Sequence, residues 1–266
     1  MNPPEAIQSG TPTAPVVELW SPSRLEDGGS LIWRCGPMRI YARRRDQDWS
    51  LASRTVDDTV DEEDGQAITS TDWTNWPLGR DEAIMRFRPT MPDRPLVVKP
   101  EAPLMIPVSV EVSFFISIPV SVEVLAGSDP DEALSLATYP SVRLSDTWFG
   151  SKSEGSLCYA LKTPARRKLD KVERREHLAV CPVIVVNEST EPLQCEKINV
   201  DGSFLELYLG PEGLWTNPVK VSYQGKEATS KVDFDYSQPK TSRKLVKVAE
   251  ARERPKRGIL RKTFRF

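Results

Sequence analysis

A chain of 266 residues, 39% hydrophobic and 28% charged, can bury one large or two modest cores without disulfides or metal, and its composition excludes intrinsic disorder as the general state. Its 23 prolines disfavour long helices and suit loop-rich β structure. The net charge of −2 hides an asymmetry: residues 241–266 hold ten Arg/Lys against two Glu, and an acidic block stands at Asp57, Asp58, Asp61, Glu62, Glu63 and Asp64.

The Pro/Ser/Thr/Gly-rich residues 1–15 are expected to be disordered. Met-Asn-Pro-Pro-Glu lacks the basic start and apolar core of a secretory signal, so a cytoplasmic location is expected. Residues 16–95 read as an N-terminal β region with an acidic loop. Leu31–Cys35 and Met38–Arg43 are strand-like runs split by Gly36-Pro37. Trp49 and Leu51 continue the pattern, and Ile84–Phe87 is a short strand. The acidic block and Thr69–Pro77 read as a long loop from which Trp73 and Trp76 can pack back on the body.

Residues 96–236 read as a central β-sandwich-like domain. Ile106–Val112 and Ile118–Val124 both spell IPVSVEV, with valines at alternate positions on one face and Ser and Glu on the other. The two Glu and two Pro within Met105–Ala126 argue against a membrane helix. The run is either one long strand passing a bend or two strands joined through Ser113–Ser117. Ala165–His177 is the single stretch of good helix formers, but its stripe of Leu169 and Val172 is too thin to bury well. Val183–Val186 is a short buried strand. Asp201-Gly202 predicts a type I′ hairpin between Glu196–Val200 and Phe204–Leu209, and Gln224-Gly225 gives a less specific hairpin signal after Val219–Tyr223. Residues 237–266 read as a basic C-terminal tail. The expected fold class is all-β, with one or two antiparallel β-sandwich-like domains, little helix and flexible termini.

The order of Phe115–Val124, Trp148-Phe149-Gly150, Glu154-Gly155-Ser156-Leu157-Cys158, Val183–Asn187 and the stretch to Tyr208 resembles a prokaryotic family, the domain of unknown function family four hundred thirty-two. The likeness spans residues 30–230 and implies an all-β protein. It implies no activity and carries over no functional residue. Some members look to be encoded near mechanosensitive-channel proteins, which implies a membrane-associated protein partner.

The segment Ser145–Arg167 is the first candidate for ligand or partner binding. Asp146, Trp148, Gly150, Glu154, Lys162, Arg166 and Arg167 combine acid, base, aromatic ring and flexible backbone. Its glycines fit neither a phosphate-binding P-loop nor a Rossmann turn, and a hairpin loop with a Trp packed on its base explains the same residues. The one histidine, His177, stands among Arg174, Arg175 and Glu176 and reads as a surface residue, which disfavours His-dependent triads. Cys35, Cys158, Cys181 and Cys195 form no Cys-x-x-Cys pair and read as buried thiols; no metal and no cofactor is expected. Glu111 and Glu123 occupy equivalent positions of the repeat and can form a carboxylate pair on one sheet face, or simply a solvated one. Arg254, Lys256, Arg257, Arg261, Lys262 and Arg265, interleaved with apolar residues, suit nucleic acid or anionic lipid, or docking on the acidic block. The leading expectation is a non-enzymatic binding or protein-interaction module. The alternatives are a carboxylate-dependent enzyme around Asp146 and Glu154, or a binder acting through the tail.

Overall fold

The computed structural model describes residues 19–56, 73–78, 82–150, 152, 155–225, 230–241 and 243–254. The N-terminal segment 1–15, the acidic block, Glu154 and the tail residues Lys256, Arg257, Arg261, Lys262 and Arg265 lie outside them. In chain order the strands are β1 (Ser23–Arg24), β2 (Ser30–Cys35), β3 (Met38–Arg45), β4 (Asp48–Thr55), β5 (Thr74–Pro77), β6 (Ile84–Thr90) and β7 (Leu96–Pro100). There follow β8 (Leu104–Ile106), β9 (Glu111–Pro119), β10 (Ser121–Ala126), β11 (Leu134–Pro140), β12 (Ser145–Phe149), β13 (Ser156–Thr163) and β14 (Leu178–Asn187). The last are β15 (Leu193–Cys195), β16 (Ile198–Val200), β17 (Leu207–Gly210), β18 (Gly213–Thr216), β19 (Val219–Tyr223), β20 (Lys231–Phe234) and β21 (Val246–Ala249).

Two apolar clusters organise these strands. The first lies between the meander β2-β3-β4-β5 and the sheet β1-β6-β10-β11. Alternation decides which residues enter it: on β3, Met38, Ile40 and Ala42 are buried while Arg39, Tyr41 and Arg43 are not. Trp33 stacks on Phe87 with ring centroids 4.5 Å apart, tying the two sheets together. Trp76 packs against this cluster from β5, and Trp73 lies under the Arg43 guanidinium at 4.0 Å, so the end of the expected loop is a strand.

The second cluster is built on β14. Ala179, Cys181, Val183 and Val185 point into it, and all are wholly buried. β14 pairs antiparallel with β9 along one edge and parallel with β18 and β19 along the other. The sheet β12-β13-β7-β16 closes the core, with β13 and β7 also parallel. The fold is therefore all-β and mostly antiparallel, with a parallel element at the centre of the second sheet. Ala165–His177 contributes one 3-10 turn, at Leu169–Lys171. Among the described residues no helix is long and apolar enough to cross a membrane.

Several local expectations give way to tertiary structure. The two IPVSVEV copies adopt different conformations. In the first, Ile106 ends β8, Pro107–Val110 turn with Ser109 at φ 60°, and Glu111 begins β9. In the second, Pro119 ends β9, Val120 is a break, and Ser121 begins β10. Ser113–Ser117 is the middle of β9, so the bend falls at Val120. Val108 is exposed in the turn between β8 and β9, whereas its counterpart Val120 is buried in the second cluster at the break before β10.

Asp201-Gly202 closes no hairpin. β16 pairs with β7, whereas β17 pairs with β18 and β21. The Asp201 carboxylate instead caps a 3-10 turn, accepting from the Ser203 amide at 3.0 Å and from its hydroxyl at 2.6 Å. Gly202 is needed for space: a Cβ there would lie 3.2 Å from Met91 Cβ. The tight hairpin comes next, β17–β18 around Pro211-Glu212, and Gln224-Gly225 does lie between two antiparallel partners, β19 and β20.

Candidate functional site

The chain passes between the two clusters three times: at Thr90/Met91, at Val120 and at Pro140/Ser141. All three crossings line one cleft of about 1390 Å³. A fourth wall comes from the C-terminal segment, residues 247–252, and Tyr159 of β13 closes one end. The cleft exists because strands that belong to different cores must part where the chain changes core. Prolines mark the breaks: Pro92, Pro119 and Pro140 line the cleft and donate no backbone hydrogen bond.

The C-terminal wall is a strap fixed at both ends. Leu245 is buried against Gly210, whose missing side chain leaves it room; a Cβ there would lie 2.5 Å from Leu245 Cδ2. β21 then pairs with β17. Arg252 donates to the carbonyls of Met91 at 2.6 Å and Pro92 at 2.5 Å, clamping the strap to the first crossing. The Glu253 amide donates to Ser203 O at 2.9 Å. Beneath the strap lies the wholly buried Glu206. Its carboxylate accepts from Arg254 at 2.5 Å, from Lys247 at 3.3 Å and from the Tyr208 hydroxyl. Burial, and then the Glu206 carboxylate, push the Tyr208 hydroxyl well above its usual pKa. Arg254 also lies over the Tyr236 ring at 4.0 Å.

Within the cleft the carboxylates already hold donors. Glu123 accepts twice from Arg88, at 2.9 and 2.7 Å, across the β6–β10 ladder. Glu250 pairs with Lys247 at 2.8 Å and Arg254 at 3.0 Å. Asp93 accepts from the Tyr159 hydroxyl at 2.9 Å. Burial and this hydrogen bond raise the Tyr159 pKa. Arg143 has no carboxylate partner among the described residues, and the Ser141 hydroxyl is buried without a hydrogen-bond partner there.

The family model described as Protein of unknown function (DUF432) matches residues 19–266. The chain belongs to this family. Neither a curated protein nor a solved structure matches it.

The DUF432 match begins at Leu19 and so takes in both clusters, the cleft and the strap. The described residues singled out in Ser145–Arg167 lie along the hairpin β12–β13 and its exit, and they do not converge. Asp146 is exposed and accepts from Arg94 at 2.9 Å. Trp148, 49% exposed, stands directly across the ladder from Leu157, 45% exposed. Gly150 has φ 114°, which suits glycine at the hairpin tip. Lys162 lies beside Lys99 in the parallel ladder. Arg166 makes a two-way backbone bridge with Phe115 and sits 3.9 Å from Glu101, and Arg167 is exposed. None of these lines the cleft, although Tyr159 from the same stretch does, as do Arg143 and Leu144 just before it. Of the basic residues marked in the tail, Arg254 is engaged with Glu206. Glu111 and Glu123 lie on different sheets, paired with Lys220 at 3.0 Å and with Arg88, so the repeat makes no carboxylate pair.

His177 is buried, at 5% exposure, which corrects its reading as a surface residue. The β2–β3 turn docks on it: a Cβ at Gly36 would fall 2.0 Å from its Nδ1. The Gly36 amide donates to Glu176 at 2.9 Å, and the His177 carbonyl accepts from Val120 at the second crossing. The neighbouring Cys35 is wholly enclosed; burial and then Glu176 raise its pKa well above the usual thiol value. The Cys35 thiol is thus enclosed in the first cluster and held protonated, as a packing residue is.

Proposed function

We infer that the protein is a non-catalytic binding protein whose ligand occupies the cleft between the two β cores. The observation that carries this reading is the coincidence of all three chain crossings and the C-terminal strap on one cavity. Its volume, about 1390 Å³, exceeds the roughly 300–1,000 Å³ of ordinary small-molecule pockets. Glu123 and Glu250 in its lining are held in ion pairs, and no histidine or cysteine lines it among the described residues.

A bulky residue at the exposed Thr138 of β11 narrows the cleft at its rim. Native mass spectrometry of the purified protein should show a bound small molecule that denaturation releases, and Thr138→Trp should abolish it. Equal occupancy in wild type and Thr138→Trp would sink the cleft as the site. A second reading, a protein-interaction face, is favoured by the exposed Trp148–Leu157 pair on an edge hairpin. Pull-down from membranes and cytosol with wild type and Trp148→Ala tests it; a partner retained equally by both counts against that face.

A further inference from the structure

The charges in the cleft do not cancel. Its lining holds four cations, Arg88, Arg143, Lys247 and Arg252, against three carboxylates; Glu123 and Glu250 are ion-paired, and Asp93 accepts from the neutral Tyr159 hydroxyl. Arg252 is bonded to two main-chain carbonyls, which are neutral acceptors, so its positive charge is uncompensated by them. Arg143 is exposed into solvent with no carboxylate partner among the described residues. A guanidinium presents a planar fork of donors that matches carboxylate and phosphate oxygens.

The remaining wall is apolar and poor in backbone donors. Val142, Leu144, Tyr159 and Val248 supply surface, and the three prolines supply none of the N–H groups that an added peptide strand requires. That argues for a compact apolar body and against an extended peptide.

We propose that the cleft takes an anionic amphiphile, its carboxylate or phosphate head held by Arg143 and Arg252, and its apolar body lying along the proline-marked wall. This rests on the cleft being the binding site.

The test titrates the full-length protein with dodecanoate and with dodecyltrimethylammonium, which share a tail length and differ in the sign of the head. Dodecanoate should bind and the ammonium should not. Arg143→Gln should weaken dodecanoate by about tenfold or more, and Arg143→Lys should keep part of the affinity. Arg143 is an exposed side chain, so both variants are expected to fold, and circular dichroism checks that they do. Equal binding of the two heads, lost for both in Thr138→Trp, overturns the anion assignment and leaves the cleft as the site. Dodecanoate binding that persists in Thr138→Trp overturns both. A third arm uses phosphatidylglycerol vesicles: sedimentation with vesicles alongside indifference to free dodecanoate overturns a soluble amphiphile as ligand and moves the anion to a membrane surface.

Discussion

Replacing Arg254 by Met keeps most of the aliphatic stem and removes the shorter of the two ion pairs to the buried Glu206 carboxylate, at 2.5 Å. Glu206 is then left with Lys247 at 3.3 Å and the Tyr208 hydroxyl. Breaking a fully buried ion pair costs about 3–5 kcal/mol. Here the guanidinium is half exposed, with side-chain exposure of 52%, and a second cation remains, so screening and compensation reduce the expected loss to about 1–2 kcal/mol. For a chain of this size that lowers Tm by about 2–8 °C. Calorimetry of Arg254→Met, Glu206→Gln and the double variant measures the coupling directly. The double variant should cost clearly less than the sum of the singles. Strict additivity would show that Arg254 and Glu206 do not hold the strap together.

Three further outcomes follow from the contacts. Gly36→Ala places a Cβ 2.0 Å from the His177 ring at a backbone φ of +55°, and should lower the urea midpoint by the equivalent of about 2–4 kcal/mol; an unchanged midpoint would mean that the β2–β3 turn does not dock there. Burial pushes the Glu176 carboxyl up, but hydrogen bonds from backbone amides, that of Gly36 among them, outweigh it and leave its pKa below the ordinary 4.5. A depressed folded-state pKa stabilises above the unfolded value and is lost as pH falls through the folded one. The stability gap between wild type and Glu176→Gln should therefore be full at neutral pH and narrow below about pH 4.5. Cys181 and Cys195 are buried, with thiols pushed up to about 12 by desolvation, and Cys35 shifts the same way. Ellman's reagent at pH 8 should label these three in urea and leave them unreacted in native buffer.

The first meander was legible because its signals are local. Alternation along β3 and the Gly36-Pro37 break lie within a few residues of the strands they define. The repeated heptad misled for the same reason: identical residues meet different cores, and Val108 and Val120 end in opposite environments. Asp201-Gly202 carries the chemistry of both a hairpin turn and a helical cap, and the choice depends on where β16 finds its partner, β7, some hundred residues earlier. The cleft was illegible because it is defined by changes of core. Its trace in the sequence is the proline at each break, visible only once the partners of β6, β9 and β11 are known. The segment 145–167 stands next to the cleft and contributes Tyr159, but none of the described residues singled out there lines it.

The threefold crossing also bears on how the chain is made. The N-terminal meander emerges from the ribosome first, yet the face it covers is completed by Val122, Val124 and Leu136. Until residue 140 is synthesised, Trp33, Ile40 and Phe87 lack part of their burial, and β6 lacks its neighbour β10. The second core waits longer still, since β17 has no outer partner before β21 exists. A ribosome releasing this chain therefore holds an unfinished, sticky intermediate for most of its length. A truncation near residue 95 leaves an exposed apolar sheet that is prone to aggregate, not a smaller folded protein.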